Sequence, residues 1–120
     1  MLINELSKIT GITIHTIRFY EKSQLIKGKR KEDVKTNNYF HYDDEIVDKL
    51  MLIKDAKSIG FTLSEIRQLL DAWYDNQFDL EKKISILDEK IISIDDKIKQ
   101  LKQMKKLVAD FKKTVLEENC

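Results

Sequence analysis

Proline is absent from this sequence of 120 residues, glycine occurs three times and cysteine once, and each scarcity excludes a class of structure. A single cysteine cannot form an intrachain disulfide framework, and it suits a reducing compartment. The three glycines lie far apart, so the chain has no glycine-rich loop of the kind that binds phosphate. Without proline, and with 36% charged residues, the composition favours a helical and highly solvated protein.

Long apolar runs are also missing. No stretch approaches the roughly 18 apolar residues of a membrane span, and the N-terminus lacks the basic segment and apolar run of an export signal. We therefore expect a cytoplasmic protein with no membrane contact. No serine or cysteine nucleophile stands in a catalytic motif and no carboxylate cluster marks a metal centre, so we expect no enzymatic activity, cofactor or bound metal.

The net charge of +1 hides an uneven distribution of charged residues. Residues 1–42 hold eight Lys or Arg against four Asp or Glu, an excess of four positive charges. Residues 43–80 hold four against nine, and residues 81–120 hold ten against eight. The basic excess therefore lies at the N-terminal end, within the segment that has a helix-turn-helix pattern.

That pattern consists of two short predicted helices separated by a glycine. The apolar residues of the first helix share one face: Leu2, Leu6 and Ile9. Gly11 follows where a left-handed C-cap is expected, so the first helix ends at Thr10. Thr13 then supplies an N-cap hydroxyl for a second helix, over Ile14 to Lys22.

A helix-turn-helix places its second helix in the major groove of DNA. Three side chains of this helix can donate hydrogen bonds to bases or phosphates: His15, Thr16 and Arg18. Two aromatic rings can pack against the sugar-phosphate backbone: Phe19 and Tyr20. The spacing alone is equally typical of an ordinary pair of helices with solvated polar residues.

In residues 27–42 the apolar side chains no longer recur at helical spacing. The pattern there predicts a short basic β-ribbon, with Asn37 and Asn38 as its turn. The helical pattern returns at Asp43 and continues to Gly60. Thr62 and Glu65 then form a capping box for a further helix that reaches about residue 74.

A final helix begins at about residue 79 and runs nearly to the end of the chain. Its apolar residues alternate steps of four and three, as in a coiled coil, and we call them the apolar seam: Leu80, Ile84, Leu87, Ile91, Ile94, Ile98 and Leu101. Such a seam requires a partner helix and predicts a homodimer. After Leu101 the next core positions hold Lys105 and Lys112, so we expect the coiled coil to loosen there and the last turns to pack elsewhere.

Three segments of the sequence together resemble the MerR family of bacterial transcription regulators, in order and in spacing. They are ITIHTIRFYE at 12–21, NNYFHYD at 37–43 and IKDAKSIGFTLSEIRQLL at 53–70. The resemblance covers roughly residues 2–72. It implies a mainly α fold, with a winged helix-turn-helix DNA-binding domain over 1–75 and a dimerisation coiled coil over 76–120.

By this resemblance, the second helix is the recognition helix, the ribbon is the first wing, and the segment from Gly60 begins a second wing. The expected wing contacts to phosphate are Lys29, Arg30, Lys31, Lys35, Tyr39 and His41. The family usually has tyrosine at Phe19, and Gly-Tyr-Arg where this chain has Asn38, Tyr39 and Phe40. Phe19 lacks the tyrosine hydroxyl and Phe40 lacks the arginine guanidinium, so each removes a polar contact. The neighbouring lysines and arginine are expected to compensate. A solvated loop is the alternative interpretation of these charges.

The family resemblance and the charges on the flanks of the coiled coil favour different orientations of the paired helices. Members of this family pair the helix antiparallel, whereas the lysines on one flank and the aspartates on the other favour parallel pairing: Lys83, Lys90 and Lys97 against Asp88 and Asp95. Exposed pairs contribute only about 0.2–1 kcal/mol each. We therefore follow the antiparallel arrangement that the resemblance implies.

The signal that such a regulator would sense is not evident in the sequence. Metal sensors of this family use at least two cysteines, whereas this chain has only Cys120, which is either an inert thiol or a redox switch. An aromatic cluster before the last helix indicates core packing or, alternatively, a ligand pocket: Trp73, Tyr74 and Phe78.

Together these features predict a homodimer that binds double-stranded promoter DNA in the nucleoid. The resemblance implies that it distorts an over-long promoter spacer in response to a signal, so that RNA polymerase engages both promoter elements. The alternative is an architectural or adaptor protein that tethers DNA through its coiled coil, which a coil much longer than about three heptads would favour.

Overall fold

The computed structural model describes residues 1–30, 40–75 and 79–119, with the backbone alone at 29, 30 and 40. The chain divides into two compact units, Met1–Phe78 and Asp79–Cys120. The elements of the first unit are, in order, α1 (Ile3–Thr10), α2 (Ile14–Lys22), β1 (Lys29–Arg30), β2 (Phe40–His41), α3 (Asp44–Ser58), α4 (Leu63–Leu70) and a π-helical turn (Asp71–Asp75).

The helices of the first unit begin where short polar side chains cap their free N–H groups. The Thr13 hydroxyl accepts a hydrogen bond from the Thr16 N–H at 3.2 Å, which starts α2 at the predicted residue. The predicted capping box is confirmed, because the Thr62 hydroxyl accepts from the Glu65 N–H at 3.2 Å and the Glu65 carboxylate accepts from the Thr62 N–H at 2.9 Å.

Two helix ends differ from the sequence-based expectation. The predicted helix to about residue 74 stops being α-helical at Leu70, and Asp71–Asp75 continue as a π-helical turn. The end of α2 has no glycine, yet Gln24 adopts a left-handed φ of 62°. This conformation lets the Leu25 N–H donate to the Tyr20 carbonyl and the Gln24 N–H to the Glu21 carbonyl, which closes the helix in a Schellman motif.

The core of the first unit forms where α1 packs against α2 and α3, and α3 packs against α4. Its fully buried apolar side chains come from all four helices: Leu6, Ile17, Leu50, Ile53 and Ile66. Apolar residues recur at spacings of three or four along these helices, which is why an amphipathic pattern is readable in the sequence. The core holds α2 against α1, and the opposite face of α2 is directed outward.

The second unit is a single helix, α5, which spans Leu80–Glu118 and contains 39 residues. The Asp79 carboxylate caps its start by accepting a hydrogen bond from the Lys82 N–H at 3.0 Å. At 1.5 Å per residue the helix is about 58 Å long. The predicted long final helix is confirmed, and it passes Lys105 and Lys112 without a break.

Candidate nucleic-acid interface

The helix α2 presents two chemically different faces. Ile17 is fully buried, while His15 and Arg18 are exposed and the Phe19 side chain is 47% exposed. Thr16 is half-buried. The outward face therefore offers an imidazole, a guanidinium and an aromatic ring within about one helical turn, a set that can contact bases, phosphates and sugars.

Tyr20 lies on the opposite face, and its position corrects the expectation that it contacts DNA. Its side chain is 7% exposed, and burial raises the pKa of its hydroxyl. The ring of Phe19 lies 5.9 Å from that of Tyr20, centroid to centroid, and tilts at 54° to it. Tyr20 thus supports Phe19 from inside, and only Phe19 of this pair is available to pack against a sugar-phosphate backbone.

The turn before α2 is held by a dense set of hydrogen bonds. Gly11 has a φ of 71°, and its N–H donates to the Ser7 carbonyl at 2.9 Å. The Ser7 hydroxyl donates to the Ile12 carbonyl at 2.6 Å. From α3, the Lys54 ammonium donates to the Thr10 carbonyl at 3.1 Å, an orphan acceptor at the end of α1. These contacts set the angle between α1 and α2.

The first turn of α2 has its own polar arrangement. The Thr13 hydroxyl donates to the Thr16 hydroxyl oxygen at 2.9 Å while it accepts from the Thr16 N–H. Because the Thr16 oxygen serves as an acceptor there, its hydroxyl hydrogen stays available to a phosphate or base. The N-terminus of α2 thereby combines a donor with the positive end of the helix dipole.

The far end of α2 is joined to the β-ribbon by Tyr42. Its side chain is 3% exposed and its hydroxyl donates a hydrogen bond to the Glu21 carboxylate. Burial, followed by the bond to Glu21 and the charge of that carboxylate, raises the pKa of Tyr42 well above its ordinary value, while the Arg18 charge opposes the shift. Arg18 therefore lies close enough to this pair to interact with it electrostatically.

Two further contacts position the same region. The Arg67 guanidinium of α4 donates to the Ser23 carbonyl at 2.6 Å, and the Tyr42 N–H donates to the Met1 carbonyl at 2.8 Å. Sequence reasoning did not identify Glu21, Tyr42 or Arg67 as residues that organise the site. The one signal in the sequence was the alternation of aromatics that ends at Tyr42.

The ribbon is formed by two short antiparallel strands. Lys29 pairs with His41 and Arg30 pairs with Phe40, and the His41 side chain is half-buried. Three predicted wing contacts, Lys31, Lys35 and Tyr39, lie outside the described residues. The strand pairing places the backbone of Lys29 and Arg30 beside the strand that leads into Tyr42, and Tyr42 in turn contacts α2.

The apolar seam of α5 is exposed in the single chain. The exposed fractions of its side chains run from 39% at Ile94 to 67% at Leu80. Single exposed apolar residues are ordinary on protein surfaces, but an aligned row of seven is not. Beyond Leu101, other apolar residues are also exposed, including Phe111 at 72% and Val115 at 55%.

The aromatic residues before α5 were expected to be core or to line a pocket. Trp73 and Tyr74 are half-buried, and the Lys49 ammonium lies 5.1 Å from the centre of the Tyr74 ring. Tyr74 borders an open cleft of about 250 Å³, whose lining also includes Lys27 and Arg67. Phe78 lies outside the described residues.

Residues 1–30, 40–75 and 79–119 meet neither the requirements of a metal site nor those of a membrane-spanning helix. Within these ranges no three His, Cys, Asp or Glu side chains are grouped so that they could hold a metal ion. In the same ranges no helix combines the length and apolar character needed to cross a bilayer.

Two short helices joined by a left-handed turn and followed by a β-ribbon form the DNA-binding domain called a winged helix-turn-helix. The family model described as MerR HTH family regulatory protein matches residues 1–73, and the model described as MerR, DNA binding matches residues 47–110. The chain therefore belongs to the MerR family of transcription regulators. The predicted family and the predicted fold class, winged helix-turn-helix followed by a long helix, are confirmed.

Similar proteins are transcription regulators and not enzymes. The HTH-type transcriptional regulator CueR of Yersinia pestis is 39% identical over 70 residues, which cover 58% of this chain and 48% of that protein. ZntR of Escherichia coli strain K12 is 38% identical over 69 residues, 57% of this chain and 46% of that protein. The chain thus spans about half the length of these relatives.

Solved structures show the same architecture. PbrR691 from Ralstonia metallidurans, a transcription regulator in complex with lead(II), superimposes with a TM-score of 0.80 at 27% identity, covering 92% of this chain and 84% of that one. HiNmlR, a MerR family regulator lacking the sensor domain and bound to promoter DNA, gives a TM-score of 0.63 at 21% identity, covering 86% and 76%. The second likeness concerns the fold alone.

Proposed function

We propose that this chain is a homodimeric transcription regulator that binds double-stranded promoter DNA with α2 in the major groove and the ribbon against the phosphates. The observation that carries the proposal is the division of α2, because Ile17 and Tyr20 anchor it in the core while His15, Arg18 and Phe19 point outward. The outward face therefore combines groups that can contact bases, phosphates and sugars. The cytoplasm, where the chromosome lies, is its proposed location.

Each subunit would bring one α2 to a two-fold symmetric operator, and the two copies would be joined through the apolar seam. A dimer doubles the number of phosphate contacts and fixes the spacing of the half-sites. We further propose the family mechanism, in which a signal changes the dimer so that it bends and untwists the promoter spacer for RNA polymerase. Such distortion costs several kcal/mol, which contacts from both subunits must offset.

The direct test is the affinity of Arg18→Ala for an operator selected from random DNA by the unaltered protein. Because one charge-assisted hydrogen bond is lost in each subunit of the dimer, affinity should weaken by at least about 100-fold. Lys99→Ala removes the same charge from an exposed position on α5 and is the matched control, with no expected change. Equal affinity of Arg18→Ala and Lys99→Ala in a gel shift at physiological salt would contradict the proposed role of α2.

The ribbon is tested by salt dependence. Removing one phosphate contact reduces the slope of log affinity against log salt concentration by about 0.9. Because the dimer carries these three residues twice, the Lys29/Arg30/Lys31 triple alanine variant should flatten the slope by up to about 5.4 while it weakens binding to all DNA sequences alike. A slope equal to that of the unaltered protein would assign these residues to a solvated loop.

The architectural alternative retains one observation in its favour. The helix α5 has 39 residues, more than five heptads, and a coil of that length can tether DNA to another protein. Immunoprecipitation of the bound chromosome, followed by transcript measurements in a deletion strain, separates the two functions. Binding at over-long promoter spacers with altered transcription supports the regulator, whereas scattered binding without altered transcription supports the tether.

A further inference from the structure

The last turn of α2 carries a carboxylate that is held from outside the helix. Glu21 is half-buried, and its Oε1 accepts a hydrogen bond from the hydroxyl of Tyr42. Tyr42 is 3% exposed and its backbone N–H donates to the Met1 carbonyl at 2.8 Å, so the donor is itself fixed. The Glu21 carboxylate therefore has a defined position, and its second oxygen can accept a further hydrogen bond.

This carboxylate lies beside the outward face of α2, next to Arg18. At 100° per residue, Glu21 falls between the buried Ile17 and the exposed Arg18 around the helix. Side chains three residues apart are neighbours on a helix surface, with Cβ atoms about 5–6 Å apart. The charge of Arg18 also opposes the rise in the pKa of Tyr42, which agrees with this proximity.

Glu21 is poorly suited to contact DNA directly. A carboxylate has no hydrogen to donate to a phosphate, and its charge is repelled by both strands of the duplex. Its presence at the edge of the outward face therefore lowers the affinity for DNA of any sequence. A contribution of Glu21 to binding must then come through a neighbouring group that does contact DNA.

Arg18 is such a group, and it has two kinds of partner in DNA. It can bind a phosphate, which carries no sequence information, or it can bind O6 and N7 of a guanine through two parallel hydrogen bonds. In the chain without DNA, Arg18 is exposed and forms no ion pair with Glu21, so its guanidinium is not yet held by the carboxylate. The orientation of the guanidinium decides between the phosphate and the base.

The geometry of a guanidinium allows the carboxylate to set that orientation. The group has five N–H donors in one plane, and two of them on one edge suffice for guanine. A second edge remains for a carboxylate, and a bond there fixes the plane of the group. The attraction between the two charges strengthens when the groove excludes water from them.

We propose that Glu21 is a positioning residue for Arg18. When α2 enters the major groove, the carboxylate held by Tyr42 accepts a hydrogen bond from the guanidinium of Arg18 and turns its other edge to a guanine. This inference rests on the proposed function, because it requires α2 in the groove and Arg18 on the DNA. Glu21 thereby lowers the affinity for all DNA and raises the preference for the operator.

The first test is Glu21→Gln, which keeps an oxygen for the Tyr42 hydroxyl and removes only the charge. Affinity for random-sequence DNA should rise by at least about twofold, because a repelling charge is lost in each subunit. The ratio of operator affinity to random-DNA affinity should fall by about tenfold or more. Glu89→Gln makes the same change at an exposed position on α5 and should alter neither quantity.

The affinity ratio separates this role from a structural one. If Glu21 only ties the ribbon to α2, the variant weakens binding to operator and random DNA alike, and the ratio stays constant. If the carboxylate acts only by repulsion, both affinities rise together and the ratio again stays constant. A constant ratio in gel shifts at physiological salt overturns the positioning role.

A guanine analogue tests the contact itself. In the selected operator, 7-deazaguanine, which lacks the N7 acceptor, replaces one guanine at a time in both half-sites. At the guanine that Arg18 contacts, the analogue should weaken the unaltered protein by about tenfold or more and Glu21→Gln by less than about threefold. At other guanines both proteins should lose equally. The inference is overturned if no guanine gives this difference.

Direct reading of DNA by Glu21 is the rival explanation, because a carboxylate can accept a hydrogen bond from N4 of cytosine. Adding Glu21→Gln to Arg18→Ala distinguishes the two. A positioning residue has no effect once its target is removed, so the affinity ratio of Arg18→Ala should stay unchanged. A further fall in the ratio assigns the reading to Glu21 itself and overturns the positioning role.

Failure of this inference is distinguishable from failure of the proposed function. Equal operator affinity of Arg18→Ala and Lys99→Ala contradicts both, because Arg18 then makes no contact with DNA. Weaker binding by Arg18→Ala, together with an unchanged affinity ratio for Glu21→Gln, contradicts the positioning role alone.

Discussion

The two units of this protein use the same apolar residue types in opposite ways. In Met1–Phe78, Leu6, Ile17 and Leu50 are fully buried, whereas in Asp79–Cys120, Leu80 is 67% exposed and Phe111 is 72% exposed. Short turns return the chain on itself in the first unit, so its helices cover each other. A single straight helix cannot cover its own apolar face. The stability of the first unit should therefore be independent of protein concentration, while the α5 face would be buried by the second chain of the proposed homodimer.

The largest expected effect concerns the core of the first unit. Leu50→Ala removes a fully buried side chain and should lower the free energy of unfolding by about 2–5 kcal/mol. Met51→Ala, at a side chain that is 37% exposed, is the control and should change it by less than about 1 kcal/mol. Urea unfolding followed by circular dichroism measures both. A loss for Leu50→Ala that disappears at high protein concentration would show that this core depends on the partner.

The second prediction addresses the apolar seam. Ile94→Lys places a charge twice in the proposed dimer interface and should raise the dimer dissociation constant by at least about 100-fold, with little change in the stability of the first unit. Ile92→Lys introduces the same charge at a neighbouring residue that is 61% exposed and lies off the seam. Sedimentation equilibrium compares the two. Equal weakening by both variants would remove the distinction between the seam and the rest of α5.

A smaller effect is expected at the turn of the helix-turn-helix. Gly11→Ala forces a Cβ onto a residue with a φ of 71° and brings it to 3.1 Å from the Lys54 ammonium, so the free energy of unfolding should fall by about 1–2 kcal/mol. Gly60→Ala, at a φ of 88° with nothing within 4 Å of the added carbon, isolates the contribution of the backbone. Thermal unfolding that ranks Gly60→Ala as the more damaging change would mean that the Lys54 contact contributes nothing at Gly11.

The smallest prediction is a gain in stability. Gln24→Gly relieves the left-handed conformation at the end of α2 and should stabilise the first unit by about 0.5–1 kcal/mol. Ser23→Gly is the control because Ser23 is right-handed, at a φ of −78°, and there glycine should destabilise. Chemical unfolding of both variants measures the difference. Destabilisation by Gln24→Gly would indicate that its side chain has a role that outweighs the backbone strain.

Much of the first unit was predictable because its signals are local. The glycine turn at Gly11, the Thr13 cap and the Thr62 capping box each depend on residues within four positions, and all three are confirmed. The left-handed Gln24 was not predictable, since the residue has no preference for that conformation and the rest of the motif imposes it. The π-helical turn after Leu70 has no sequence signature in this chain.

The candidate site likewise has features that the local sequence predicts and features that it does not. His15, Arg18 and Phe19 were identified from the position of α2, but their separation from Tyr20 was not, because two adjacent aromatics are equivalent in a helical pattern until the core is known. The bond from Tyr42 to Glu21 joins residues 21 positions apart. Contacts over such separations depend on how α2, the ribbon and α3 pack, and no local spacing encodes them.

The sequence by itself determined the order of the elements, the ends of most helices, the membership in the MerR family and the heptad repeat of α5. These follow from the periods of helix and strand and from capping chemistry, which act within a few residues. The tertiary structure decided which face of α2 is presented and which residues hold it. It also decided that α5 continues unbroken past Lys105 and Lys112, because competing local preferences are resolved only when a whole element forms.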